Sequence, residues 1–372
     1  MSHGVHVTMS IQEKIRAIEY EISRTQVNKA TNRHLGVLKA RIARLREQER
    51  ERIERGKGKV GEGYTIRKDG DATVVLLGMP SVGKSTLLNH LTNSNSKVGA
   101  YDFTTLTVIP GILKYRGAQI QVLDIPGIIR GASEGKGLGK RILSTTRSAD
   151  LLLVIVDVFN PDIKEVLLDE IRNIGIRPDE KKPDIRIEKR GSGGVVITDL
   201  VGMTIMDKEG MKDILREYRY HNSRVVVRED VGYDKFVDVL LKNTVYIPTL
   251  TVMNKINMVD NEWIEELKIE ADYDLVEISA DHDINLDELK ERIFQKLDLI
   301  RIYLRPKGEA ADFEEPLIVK RGSTIENIAD KIHGNLKKSL RFTRIWGKSA
   351  KFGGQKVSLT HKPLDEDILT FY

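Results

Sequence analysis

GMPSVGKST, residues 78–86, is the stretch from which the fold of this chain is read. It matches GxxxxGK[ST], a glycine-rich turn whose backbone N–H groups curl around an anion when a strand leads in and a helix leads out. Both flanks are present. TVVLL (73–77) suits a buried strand, and STLLNHL (85–91) has helical spacing. Loop and helix N-terminus then converge on the β-phosphate of a nucleotide. Lys84 reaches the β and γ oxygens, Ser85 ligates Mg²⁺, and Gly78, Pro80, Ser81, Val82, Gly83 and Thr86 complete the cradle.

Downstream segments extend the site. In YDFTTLTVIPG (101–111), Thr105 is positioned to offer its hydroxyl to Mg²⁺ and its N–H to a γ-phosphate, with Thr104 the alternative. QIQVLDIPGII (119–129) ends a strand in Asp124, which can hold the Mg²⁺ shell, and continues into Pro126-Gly127, whose glycine N–H can bond the γ-phosphate and release it after hydrolysis. Lys84, Thr105 and Gly127 are the candidate catalytic groups, and Ser85, Thr105 and Asp124 the candidate metal ligands. Glycines 127, 131, 135, 137 and 139 make the following run suited to movement.

TVMNKIN (251–257) has the form of a guanine-reading loop until its last residue. Asn254 and Lys255 are expected to brace the base and the phosphate loop. Asn257 stands where an Asp would accept both hydrogens of guanine's N1/N2 edge. One amide oxygen replaces one carboxylate oxygen, but the amide NH₂ opposes guanine's NH₂ at a cost of roughly 1–3 kcal/mol. Ser279 and Ala280 follow another strand, where their N–H groups are expected to meet the base O6. Guanine therefore stays preferred, with weaker discrimination and unusual tolerance of xanthine. Asp260, three residues on, is too far to substitute.

Around these motifs the chain divides into parts. Ile11, Ile15, Ile18 and Ile22, then Leu35, Leu38, Ile42 and Leu45, give helical spacing twice over, a helical hairpin assigned to residues 1–60. Its second arm carries Lys39, Arg41, Arg44 and Arg46, which suit contact with RNA or a partner protein and equally an ordinary solvated arm. REQERERIERGKGKVGEG (46–63) closes the arm and opens a linker. Residues 61–300 alternate apolar strands (TVVLL, QIQVLD, LLLVIVD, YIPTLTVMN, LVEIS) with helices, the mark of a parallel sheet covered on both faces. The interval from Asp157 to Tyr246 is too long for one strand-helix-strand unit, so an α+β subdomain is inserted at about 164–240. It is expected to contain a helix in DIKEVLLDEIRNIGI, a hairpin in DIRIEKRGSGGVVITDL, a helix near EGMKDILREYRYH and a strand in SRVVVRED. The tail, 301–372, reads as short strands around one helix, TIENIADKIHGNL, N-capped by Ser323 or Thr324.

Composition narrows the class. With 40% hydrophobic and 31% charged residues, neither a disordered nor a membrane protein is expected, and no apolar run approaches the roughly 20 residues of a bilayer span. The beginning lacks the apolar core and cleavage site of a secretory signal, and there are no cysteines, so a reducing cytoplasm is the expectation. Net charge is +5, yet eleven Lys/Arg face two acids between Leu317 and Lys362, a local +9 that leaves the remainder at −4. Such a surplus is the electrostatic footprint of a phosphate-backbone binder.

SRTQVNKATNRHLGVLKARIARLR, GMPSVGKSTLLNHLT, YDFTTLTVIPGILKYRGAQIQVLDIPGIIRGASEGKGLGKR and RIYLRPKG together resemble the developmentally regulated GTP-binding proteins (DRG), a branch of the Obg superfamily, over essentially the whole chain. The resemblance implies an N-terminal helical hairpin, a Ras-like P-loop GTPase domain interrupted by a subdomain similar to ribosomal-protein domains, and a C-terminal TGS domain of β-grasp type. It implies association with ribosomes and rRNA in translation and a dedicated partner protein; GTP/GDP and Mg²⁺ are the ligands expected from the motifs above, K⁺ is one candidate accelerator of hydrolysis beside the ribosome and a partner, and a monomer is expected. Asn257 departs from the family pattern. Ile128, after Gly127, cannot orient water, so hydrolysis of GTP to GDP is expected to be slow without a cation, ribosome or partner. The rival readings are an NTPase of relaxed base choice and an RNA-binding scaffold with a near-inert nucleotide site.

Overall fold

The computed structural model describes residues 10–28, 31–56, 70–92, 109–124, 146–173, 175–241, 244–270, 274–334 and 340–372. The linker after Gly56, Thr104, Thr105, Pro126, Gly127, Ile128 and the glycine run that follows lie outside the described residues. The chain forms two compact units, residues 64–180 with 247–372, and residues 1–63 with 181–246. None of the described helices is long and apolar enough to cross a membrane.

The first unit is built on a six-stranded sheet of order β11-β10-β4-β1-β3-β2. Its strands are β1 (Ala72–Gly78), β2 (Ile109–Tyr115), β3 (Ala118–Asp124), β4 (Leu151–Asp157), β10 (Thr249–Asn254) and β11 (Leu275–Glu277). All neighbours are parallel except β2, which returns antiparallel along β3 through a tight turn at Arg116-Gly117, both with positive φ. Every residue of β1 and β4 is buried, the expected fate of apolar strands with both faces covered. Helices α3 (Lys84–Leu91) and α8 (Leu286–Lys296) contribute Leu87, Leu88, Leu91, Leu289 and Ile293 to one core with Val74, Leu76 and Ile155. Helix α4 (Ile163–Asn173) packs against β4 and β1, so it belongs with this sheet and not with the insertion expected at about 164–240. Its apolar face, Leu167, Leu168 and Ile171, is what the sheet buries.

The tail of this unit is a second sheet of order β13-β12-β16-β14-β15. It comprises β12 (Leu299–Leu304), β13 (Leu317–Lys320), β14 (Thr343–Trp346), β15 (Gln355–Val357) and β16 (Asp367–Phe371), with central β12 and β16 parallel. Helix α9 (Ile325–Ile332) packs on one face through Ile325 and Ile328, against Ile302, Ile345 and Leu369. Thr324 is its N-cap, in a capping box with Asn327. Part of the basic surplus is spent inside the unit: Lys320 pairs with Asp150 at 2.8 Å, Lys331 with Asp71 at 3.0 Å and Arg321 with Asp298 at 2.8 Å. These cations attach the tail to the six-stranded sheet's domain and are not a free basic face.

The other unit begins with α1 (Ile11–Arg24) and α2 (Asn32–Gly56). A Ser10–Glu13 capping box starts α1, and Ile15 and Ile18 meet Leu38 and Ile42 in the hairpin core. A second stripe on α2 is made of small residues, which give no apolar periodicity in the sequence. Gly36, Ala40 and Ala43 sit at helical spacing and let α5 (Lys208–Glu217) and α6 (Tyr233–Leu241) approach α2 closely. A Cβ on Gly36 would lie 2.2 Å from the Tyr233 ring. The cations of this arm are spent as well: Lys39 on Asp234, Arg41 and Arg44 on Glu217, Arg46 on Glu19. The expected RNA or partner face of the hairpin is thus, at these four residues, an intramolecular seam.

The inserted strands are β6 (Ile185–Lys189), β7 (Val195–Asp199) and β8 (Ser223–Val227), in the order β6-β8-β7. β6 and β7 do not form the expected hairpin. β8 lies between them, antiparallel to β6 and parallel to β7. The physical reason is α5: β7, α5 and β8 form a crossover unit whose helix covers the sheet with Met211, Ile214 and Leu215. Outside both units' main sheets, β5 (Ile176–Pro178) pairs with β9 (Val245–Ile247).

Candidate nucleotide site

β1 delivers the chain into the loop at Gly78, and α3 takes it away at Lys84. Two residues between them adopt positive φ, Ser81 (66°) and Gly83 (95°), which turns successive N–H groups inward as an anion nest. Gly78 and Gly83 are there for space: a Cβ at Gly78 would meet the Ile155 carbonyl oxygen at 2.6 Å, and one at Gly83 the Asn254 Nδ2 at 2.3 Å. Val82 is buried, Pro80 and Ser81 are exposed, and Thr86 lies in the first turn of α3. The Lys84 ammonium donates to the carbonyls of Gly78 (3.0 Å) and Met79 (2.7 Å), which holds it over the loop. Burial lowers its pKa from the ordinary lysine value, and the Asp124 charge opposes that shift.

Asp124 ends β3 beside this turn, and Ser85 Oγ donates to its Oδ2 at 2.7 Å. Its second oxygen, Oδ1, is buried with no hydrogen-bond partner among the described residues. An orphaned carboxylate oxygen next to a serine hydroxyl is an all-oxygen donor set of the kind that Mg²⁺ takes, with water and phosphate completing the shell. No group of three or more His, Cys, Asp or Glu comes together among the described residues.

Asn254, at the end of β10, ties the site together. Its Nδ2 donates to the Val82 carbonyl at 2.9 Å and its Oδ1 accepts from the Ala280 N–H at 3.0 Å, so one buried amide links the phosphate loop to the 279–280 turn. Lys255 has a positive φ of 68° and its ammonium lies 3.3 Å from Asp157. Asp157 was missed from the sequence; its signal, an acid closing the apolar strand LLLVIVD just as Asp124 closes QIQVLD, was available. It also accepts the N–H groups of Phe159 and Asn160. Asp260 caps α7 (Asn261–Glu270) by accepting from the Trp263 N–H, as its distance from the base-reading position required.

The base end differs from expectation in one respect. The two N–H groups assigned to O6 are already used: Ser279 donates to the Ile284 carbonyl, and Ala280 to Asn254. The turn meets Asn257 through the Ser279 hydroxyl, which donates to Asn257 Oδ1 at 2.8 Å. Local pairing of Ser279 with Ile284, invisible in the sequence, decides this.

Comparison with known proteins gives the family. Residues 73–190 match the family described as 50S ribosome-binding GTPase, 192–299 the C-terminal region of that domain, and 300–372 the TGS domain. The chain is 50% identical to a GTP-binding protein of Methanocaldococcus jannaschii, over 97% of this chain and 93% of that one. It is 42% identical to developmentally-regulated GTP-binding protein 1 of Xenopus laevis (96% and 97%) and 41% to developmentally-regulated GTP-binding protein 2 of Bos taurus (97% and 99%). The chain belongs to the developmentally regulated GTP-binding protein family. This DRG protein therefore has a Ras-like P-loop GTPase domain on the six-stranded sheet and a TGS domain on the five-stranded one.

Proposed function

We propose that this DRG protein binds GTP with Mg²⁺, hydrolyses it slowly to GDP and phosphate, and uses the difference between the two states as a switch on ribosomal RNA in translation. The observation that supports the reading is the Asn254 amide, which hydrogen-bonds both the phosphate loop and the 279–280 turn. In this reading Lys84 meets the β and γ oxygens, and the N–H groups from Gly78 to Ser85, including those of Ser81, Val82 and Gly83, wrap the β-phosphate, with Pro80 shaping the loop and Thr86 continuing it. Ser85, Asp124 and Thr105 hold Mg²⁺, which when bound neutralises charge developing on the phosphates. Thr105 and Gly127 sense the γ-phosphate, and Asn254, Lys255, Asn257, Ser279 and Ala280 form the base end. Ile128 in place of a water-positioning side chain supports a slow basal rate, raised by K⁺, the ribosome or a partner protein. The same reading divides the chain into a hairpin (1–60), a GTPase domain (61–300) interrupted after about residue 180, and the TGS domain (301–372), in a monomeric cytoplasmic protein.

Two measurements test it. Calorimetric titration with Mg²⁺ and GTP gives heat that Lys84→Ala abolishes; equal binding by that variant overturns the assignment of the phosphate loop. Ribosome co-sedimentation with a non-hydrolysable GTP analogue exceeds that with GDP; equal sedimentation in both states, and without nucleotide, supports an RNA scaffold and ends the switch reading. A second reading, relaxed base choice, is favoured by the Ser279–Asn257 bond, which takes up the one amide oxygen of residue 257.

A further inference from the structure

The five-stranded sheet has a second face. Ile302, Leu369 and Ile345 point to α9 and are 0% exposed. Alternation along each strand sends their neighbours the other way, and the register sets Tyr303 beside Ile368 and Ile368 beside Trp346. On the same face Arg344 lies between Thr370 and Lys356. Phe342 and Tyr372, flanking β14 and β16 in the same phase, stack with centroids 4.7 Å apart and planes 11° from parallel.

Cations ride on these rings. Lys356 Nζ is 4.3 Å from the Phe342 centroid, Arg344 and Lys307 are each 5.6 Å from that of Tyr372, and Arg305 is 5.0 Å from that of Trp346. Whereas Lys320, Arg321 and Lys331 are committed to carboxylates, Lys307, Arg344 and Lys356 form no ion pair among the described residues. The Thr370 hydroxyl is buried on this face without a hydrogen-bond partner. Nearby acids Asp365 and Glu366 are held by Arg301.

Unspent cations by themselves fit any polyanion. The rings narrow the choice, because a stacked aromatic pair adds affinity only when a flat, unpaired ring arrives, and a duplex keeps its base faces covered. An acidic peptide would use the charges and gain nothing from the rings. We propose that this face is a single-strand RNA site: one unpaired base stacks on the Phe342–Tyr372 pair and a neighbouring base on Trp346, while Arg344, Lys356 and Lys307 turn from the rings to the flanking phosphates. The inference rests on the proposed RNA association and adds its chemistry, a splayed base in place of a helical groove.

Fluorescence anisotropy of the full chain with a labelled unstructured 12-nucleotide RNA, the matching duplex and purified rRNA, at two salt concentrations, tests it. The single strand binds at least about ten-fold tighter than the duplex. Phe342→Leu and Tyr372→Leu, with unchanged thermal unfolding, each weaken it on the order of ten-fold at unaltered salt slope, and Arg344→Gln lowers the slope by about one. In Trp263→Phe protein, where Trp346 is the one remaining tryptophan, the single strand quenches its emission. Ring variants that bind like the parent, equal duplex binding, absence of quenching, or displacement of RNA by polyglutamate at comparable charge each overturn the stacking site while RNA association stands. No binding to any of the three RNAs removes both.

Discussion

Asn257→Asp is the substitution that probes the base end most directly. The Ser279 hydroxyl occupies Asn257 Oδ1 at 2.8 Å, which leaves the amide NH₂ as the group turned elsewhere. A carboxylate at this position has two equivalent acceptors, so one oxygen keeps the serine and the other accepts from the N1 and N2 hydrogens of guanine. The amide has one oxygen, and its donor meets guanine's donors. Restoring a hydrogen bond to a charged acceptor is worth about 1.5–3 kcal/mol, or roughly ten- to hundred-fold in affinity. In competition against a fluorescent GDP, Asn257→Asp should therefore raise the preference for GTP over XTP by at least about that factor, by tightening GTP and by repelling the 2-oxo group of XTP that the amide tolerates. Ser279→Ala offers an internal control. It frees the amide oxygen to turn toward the base and should recover part of the guanine preference without adding charge. A GTP preference unchanged by Asn257→Asp would refute the reasoning and remove residue 257 from base recognition.

Other consequences follow from the same contacts. Asn254→Ala strands the Val82 carbonyl and the Ala280 N–H, costing about 2–4 kcal/mol; calorimetry should record a lower unfolding temperature together with weaker nucleotide binding, and loss of neither would show the bridge to be dispensable. Gly36→Ala drives a methyl into the Tyr233 ring, a destabilisation of about 1–3 kcal/mol in thermal melts that Tyr233→Ala should partly relieve in the double variant. Burial pushes the Asp365 carboxyl up, yet the bonds it accepts from Arg301 outweigh this and hold it below its ordinary value. Its stabilisation is therefore complete above the ordinary carboxylate pKa and lost as pH falls through the lowered one. In Trp263→Phe protein, where emission reports Trp346 alone, Arg301→Gln should move acid unfolding of the TGS domain to higher pH; an unmoved midpoint would show that the pair does not stabilise the fold.

Much of this protein is determined locally and can be read from its residues. GMPSVGKST between an apolar strand and a leucine-bearing helix defines the phosphate loop because its function requires particular backbone angles, and only certain residues permit them. Apolar runs such as LLLVIVD announce buried parallel strands, and the isoleucine and leucine spacing of α1 and α2 announces their hairpin. What tertiary structure alone decided are pairings between residues far apart in the chain. Whether β6 would meet β7 depended on β8 arriving between them. Whether Arg44 would face RNA depended on Glu217 being carried to it by another helix, and the same holds for Lys320 and Asp150. Whether the Ser279 and Ala280 N–H groups would face a base depended on Ile284 and Asn254 reaching them first. A charge or a donor is legible in sequence, but its partner is chosen by packing, and an electrostatic or hydrogen-bonding group acquires its function only once that choice is made.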